Sequence, residues 1–153
     1  MDFRISSPAF AEGADIPIRH TCDGEDRSPR LTWSGTPKNA RSLALVMDDP
    51  DAPRGTFTHW VVYDLPTDLE ELGEGSTQGT QGRNSFGRSG YGGPCPPPGD
   101  QPHRYRFTLY ALDVPSLALA NGTREELEAK VEGHLVSTAR LVGRYSRQPV
   151  RTR

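Results

Sequence analysis

Two apolar runs, "SLALVMD" (42–48) and "FTHWVVYDL" (57–65), lie either side of the connection "DPDAPRGT" (49–56). Both read as strands, with apolar, β-branched and aromatic residues in short segments. In the first, Leu43, Leu45, Met47 and Asp49 share one face, so a carboxylate ends an apolar row. In the second, Phe57, His59, Val61 and Tyr63 share a face, with His59 near its start. As antiparallel neighbours, the two strands bring Asp49 and His59 together at one rim of a sheet. Pro50 and Pro53 fix φ in the connection and limit its freedom. The expectation is a preorganised Asp–His corner, because a plain turn needs polarity but not this chemistry.

The remaining elements are of the same kind. "FRIS" (3–6), "LTWSG" (31–35), "RYRFTLYALD" (104–113) and "ARLVGRYS" (139–146) read as further strands. In the third of these, Tyr105, Phe107, Leu109 and Ala111 take one face, while Arg106, Thr108 and Tyr110 take the other. One helix is expected after Gly122: Thr123 and Glu126 form a capping-box pattern, and Leu127, Val131 and Leu135 follow at four-residue spacing. It is expected to pack against a sheet edge. With 33% hydrophobic residues, 16 Gly and 14 Pro, turns are many and long helices few. The fold class is all-β: an antiparallel sandwich, with one or two short helices late in the chain. Residues 1–153 are expected to form a single domain. Trp33 and Trp60 are assigned to its core.

Charge and composition exclude several functions. Lys and Arg number 18 against 20 Asp and Glu, a net −2, so no polyanion partner is expected. An acidic run (Asp64, Asp68, Glu70, Glu71, Glu74) and a basic end (Arg140, Arg144, Arg147, Arg151, Arg153) read as solvated surface. "GRSGYGG" is a single copy of an RNA-binding type of tract at the wrong net charge. The start "MDFRISSPAF" lacks a secretory layout, and the longest apolar run, about "LALVM", is far too short for a membrane span. A cytoplasmic protein is expected. Cys22 and Cys95 have no CxxC partner, and in a reducing compartment they are expected as two free thiols. No HxH or HxxxH spacing supports a metal, and no GxSxG elbow supplies a hydrolytic nucleophile. His20 and His134 show no partners and receive no role.

The second chemical constellation closes a long irregular stretch, 73–102, whose length marks it as functional or disordered. In "YGGPCPPPGDQPHRY" (91–105) the glycines permit close backbone approach and the prolines hold the loop without using N–H groups. His103 and Tyr105 then alternate onto one face at the mouth of a strand. Three strand ends and a Gly/Pro rim make a small pocket with a few convergent polar groups. Two imidazoles, a phenol and backbone N–H groups suit a compact oxyanion. Asp49 alone repels it, unless Asp49 pairs with His59 or shares a proton with the ligand.

These stretches together resemble the phosphatidylethanolamine-binding protein family, in its bacterial and archaeal, Raf-kinase-inhibitor-like branch. The resemblance is carried by "TCDGEDRSPRLTWSGTP" (21–37), "SLALVMDDPDAP" (42–53), "FTHWVVYDLP" (57–66), "GYGGPCPPPGDQPHRYRFTLYALD" (90–113) and "GHLVSTARLVGRY" (133–145). It implies a β-sandwich with an anion cavity at one end, and a ligand set of Asp49, Asp51, His59, Gly93, Cys95, Pro96, Pro97, His103 and Tyr105. It also implies phosphate or phosphoethanolamine-type headgroups as ligands, a protein kinase or serine protease as partner, a homodimer, and a cis bond before Pro53. No cofactor is implied. Only "RGTFT" separates Pro53 from His59, and the chain ends in "GRYSRQPVRTR" where eukaryotic members continue into a helix. Kinase regulation through those elements is therefore not expected. The leading reading is a non-enzymatic binding protein. The alternative is a small hydrolase or isomerase in which Asp49 orients His59 as a base.

Overall fold

The computed structural model describes residues 2–147. Eight strands lie among them: β1 (Arg4–Ser6), β2 (Leu31–Ser34), β3 (Ser42–Asp49), β4 (Phe57–Leu65), β5 (Glu71–Leu72), β6 (Thr80–Gln81), β7 (His103–Leu112) and β8 (Leu135–Tyr145). One α-helix, α1 (Arg124–Val131), precedes β8, and a 3-10 turn covers Ile18–His20 early in the chain. The strands form two antiparallel sheets, ordered β1-β2-β5 and β6-β4-β3-β7-β8.

β3 is central, and all eight of its residues are buried. Its alternate faces serve two different cores. Leu43, Leu45 and Met47 pack between the sheets with Trp60, Phe107, Leu109, Trp33 and Leu31. Ala44 and Val46 face the opposite way, where Val61, Tyr63, Leu117, Leu127 and Val131 cover the outer side of the large sheet. Burial of each large apolar side chain contributes roughly 1.5–3 kcal/mol. An apolar run without polar alternation is what a strand covered on both faces requires. β7 keeps the expected alternation, with Tyr105, Phe107, Leu109 and Ala111 all facing the core between the sheets.

The alternation expected for β4 does not hold. Met47 pairs with Trp60 and Asp48 with Thr58, which leaves His59 as an extra, unpaired residue. This β-bulge re-phases the strand. Val61 and Tyr63 go to the outer core and Trp60 and Val62 to the inner one. Phe57 and His59 stay on the side of Asp49 and Tyr105.

Helix α1 has the expected capping box: Thr123 accepts from the Glu126 N–H, and the Glu126 side chain accepts from the Thr123 N–H. It ends at Val131, and Leu135 begins β8 as an exposed residue, outside the helix in which it was expected. Leu127 and Val131 pack on the outer face of the large sheet rather than at its edge. The stretch 73–102 holds only β6 but is tied by backbone bonds such as Gly82 N–H to Val61 O and Gly90 N–H to Gly82 O. In the acidic run, Glu71 pairs with Arg30 and Glu74 with Arg19. Arg151 and Arg153 of the basic end lie outside the described residues. No helix among the described residues is long and apolar enough to cross a membrane.

Candidate functional site

The ends of β3 and β4 meet where Asp49 pairs with Phe57. The connection then turns back under the control of Asp49 itself, whose Oδ1 accepts the Asp51 N–H at 2.8 Å. Among the described residues no peptide bond is cis, so the expected cis bond before Pro53 is corrected to trans. The tightness comes from the side-chain-closed turn and the two prolines.

Beside this turn lies a cavity of about 240 Å³, lined by Asp49, Ala52, Pro53, Phe57, His59, Phe86, Cys95, Pro96, Pro97, His103 and Tyr105. Seven of the nine residues expected to contact a ligand are on its wall. Asp51 is not among them: it grips Arg104 through the backbone N–H, Nε and Nη2 at 2.8–2.9 Å. The guanidinium hydrogen bonds hold the Asp51 carboxyl down at about 2. Gly93 stands behind the rim, donating its N–H to Asp26 Oδ1 at 2.8 Å.

The histidines are partnered differently from expectation. Asp49 does not pair with His59. Its Oδ2 accepts from His103 Nδ1 at 2.6 Å, and His103 Nε2 reaches Asp100 Oδ2 at 3.1 Å. Burial works against charge on the His103 ring, but the two carboxylates outweigh it and raise its pKa. Both ring nitrogens face acceptors, so both carry protons when the ring is charged. His59 instead bonds through Nδ1 to Gly92 O at 2.7 Å. A carbonyl can only accept, so Nδ1 bears the proton. Burial lowers the pKa of His59, against the opposing pull of its backbone bonds and of the Asp49 charge. The Asp49–His59 acid/base pair on which the hydrolase or isomerase alternative rested is therefore absent.

Tyr105 completes the polar lining. Its side chain is fully buried, and its hydroxyl is the one buried side-chain polar atom without a hydrogen-bond partner among the described residues. Burial, and then the nearby Asp49 charge, raise its pKa. Its ring meets His59 edge-on at 5.3 Å and stacks near His103 at 6.4 Å. Phe57 and Phe86 add an apolar side, at 5.0 and 5.5 Å from the His59 ring.

The rim of the cavity is braced by the segment around the 3-10 turn. Tyr91 donates its hydroxyl to His20 O at 2.7 Å, and Cys22 N–H donates to Pro94 O at 3.1 Å. Cys22 and Cys95 are joined in a disulfide, so the expected pair of free thiols is corrected. That expectation rested on an assumed reducing compartment and had no view of the two thiols' proximity. His20 and His134, expected without partners, bond Arg27 O and Asp113 Oδ1, each at 2.9 Å.

Sequence reasoning missed Ala52, Pro53, Phe57 and Phe86 on the wall and Asp100 behind His103. Pro53 and Phe57 flank the acidic motif and were within its reach. Phe86 sits in a Gly-rich stretch with no periodic signal. Among the described residues no cluster of three His, Cys, Asp or Glu is arranged to hold a metal.

Comparison with known proteins yields one family: its model, described as phosphatidylethanolamine-binding protein, matches residues 6–146. A UPF0098 protein of Aquifex aeolicus is 48% identical over 150 residues, covering 94% of this chain and 88% of the relative. One from Methanothermobacter thermautotrophicus is 45% identical over 153 residues, covering 94% and 98%. Among solved structures, a putative phosphatidylethanolamine-binding protein homologue, CT736 of Chlamydia trachomatis, superposes with a TM-score of 0.89 at 40% identity, over 95% of this chain and 98% of that one. E. coli YbcL, a new member of the mammalian PEBP family, gives 0.89 at 31% identity, over 95% of this chain and 99% of that one.

Proposed function

This chain belongs to the phosphatidylethanolamine-binding protein family, and from that premise we propose that it is a non-enzymatic binding protein whose cavity holds a phosphate-type anion. The observation that carries this reading is the Tyr105 hydroxyl, fully buried and unpartnered on the wall of a cavity shared with Asp49 and His59. An unmet buried donor costs about 1–3 kcal/mol, and an anionic oxygen entering the cavity relieves that cost. A volume of about 240 Å³ suits a compact headgroup such as phosphoethanolamine. Phe57, Phe86, Pro96 and Pro97 offer its carbon atoms an apolar wall. A protein partner of the kinase or protease type and a homodimer belong to the same reading, with the exposed rim as the surface of contact.

Calorimetric titration of phosphoethanolamine into wild type and Tyr105→Phe tests it. Saturable binding that weakens about tenfold in the variant is expected, the equivalent of ~1.4 kcal/mol for one hydrogen bond to a charged group. No saturable heat in wild type at any pH from about 5 to 8 would end the anion reading.

A further inference from the structure

Cys22 and Cys95 are both exposed, and the bond between them links the segment around the 3-10 turn to the cavity rim. Three hydrogen bonds tie the same two segments: Tyr91 O–H to His20 O, Gly93 N–H to Asp26 Oδ1 and Cys22 N–H to Pro94 O, at 2.7, 2.8 and 3.1 Å. Opening the disulfide therefore leaves the turn and the rim joined. The two sulfurs also have different neighbours. Arg147, just past the end of β8, points Nη1 at Cys95 Sγ at 3.9 Å and pairs Nη2 with Asp23 Oδ1 at 3.1 Å. Its backbone carbonyl accepts the Gly99 N–H at 3.0 Å, which holds it against the rim. Cys22 is followed by the Asp23 carboxylate, which also accepts the Tyr145 hydroxyl. A cation beside a sulfur favours its thiolate, and a thiolate of lower pKa leaves faster in disulfide exchange. The bond is thus asymmetric: Cys95 is the better leaving sulfur, and Cys22 is the one to be attacked.

We propose that the Cys22–Cys95 bond is a thiol–disulfide exchange site that opens in the folded protein, with Cys22 as the attacked sulfur and Cys95 as the leaving thiolate held by Arg147. The reductant is a dithiol. One of its thiolates attacks Cys22 Sγ; the bond to Cys95 breaks, and the electron pair departs on Cys95 Sγ beside the guanidinium. The second sulfur of the dithiol, after losing its proton, attacks the dithiol's own sulfur in the mixed disulfide, and Cys22 leaves as a thiolate that takes up a proton. Two electrons pass to the protein, and the dithiol is oxidised to its own disulfide. The charged and titratable groups around Cys95 are Arg147 and Asp23 and, on the same cavity wall, Asp49, His59, His103 and Tyr105. None of these steps depends on what the cavity holds.

The test is reduction of the folded wild-type chain by dithiothreitol, followed by alkylation of the freed thiols and by far-UV circular dichroism. The rate is expected to rise in proportion to dithiothreitol, with the β spectrum retained. Arg147→Gln is expected to slow it about threefold, somewhat under the factor of about five that a full unit charge about 4 Å away supplies in water, because Asp23 shares the guanidinium. Arg147→Lys keeps the charge and is expected to restore the rate. Arg4→Gln, the same change of net charge placed on β1, is expected to react as wild type does. Brief exposure to glutathione, quenched in acid and mapped by mass spectrometry, is expected to leave the adduct on Cys22. A rate that does not respond to dithiothreitol would place the limiting step in global unfolding and overturn the proposal. So would loss of the β spectrum on reduction, equal rates in wild type and Arg147→Gln, or adducts on Cys95 as often as on Cys22. Arg147→Lys or Arg4→Gln reacting as slowly as Arg147→Gln would overturn it too, since the local charge would then not be the cause.

Discussion

Asp49 and His103 lie on neighbouring strands with 2.6 Å between Oδ2 and Nδ1, and their side chains are only 4% and 5% exposed. A pair buried this deeply is costly to break from one side, because the survivor keeps its desolvation penalty. Asp49→Ala is expected to lose about 3–5 kcal/mol in urea unfolding. The raised pKa of His103 sets the sign of its pH dependence. Its contribution is complete below the ordinary histidine value of ~6.5 and is lost as pH rises through the higher, folded value. Proton NMR of the His103 ring should show that raised value falling in Asp49→Asn. An unchanged titration would mean that Asp100 alone holds the charge.

His59 titrates in the opposite sense. Burial lowers its pKa, so the unfolded chain takes up a proton near ~6.5 while the folded chain resists until lower pH. Its contribution to stability is complete above ~6.5 and is lost as pH falls toward the folded value. Unfolding midpoints measured from about pH 4 to pH 8 are expected to decline less on the acid side in His59→Gln than in wild type. Parallel profiles would show that another group governs the acid limb.

The rim depends on the absence of one side chain. A Cβ on Gly93 would sit 2.3 Å from His20 O and 2.5 Å from Asp26 Oδ1. Gly93→Ala must separate the rim from the turn behind it, at an expected cost of about 1–3 kcal/mol and with weakened anion binding. Gly73→Ala is the control, since a Cβ there meets nothing within 4 Å. Equal behaviour of the two variants would show that the rim yields freely.

The disulfide spans a sequence separation of 73. Replacing both cysteines with serine is expected to lower stability by about 2–4 kcal/mol, mainly by releasing the unfolded chain. Wild type unfolded in the presence of a dithiol reductant should match the double variant. A wild type indifferent to reductant would mean that the bond is absent or shielded from the reagent.

Much of this arrangement is legible in the residues. The strand segments announce themselves by alternation, and the helix start by Thr123 and Glu126, because these are local signals. Asp49, His59, His103 and Tyr105 could be placed together because each sits at the end of a readable strand. Their pairing could not. Which carboxylate meets which imidazole depends on strand order: β7 lies next to β3 and carries His103 to Asp49, a long-range fact absent from either segment. The direction of Asp51 was hidden for the same reason, since its partner Arg104 arrives from β7. Cys22 and Cys95 meet only through the packing of the rim against the 3-10 turn. Phe86 comes from a stretch whose conformation is set by backbone bonds rather than by side-chain periodicity.

The extra residue in β4 has a consequence for anyone wishing to move or copy the cavity. A regular strand points successive side chains to opposite sides, so it cannot send His59 to a ligand and its neighbour Trp60 to the interior from the same side. One inserted residue lifts that prohibition. Grafting the same side chains onto an unbroken hairpin would force a choice between the imidazole and the indole. Deleting a single position there would exchange the two faces for every residue beyond it. The portable unit is therefore a backbone irregularity together with its side chains, and a substitution table that lists only the side chains would miss it.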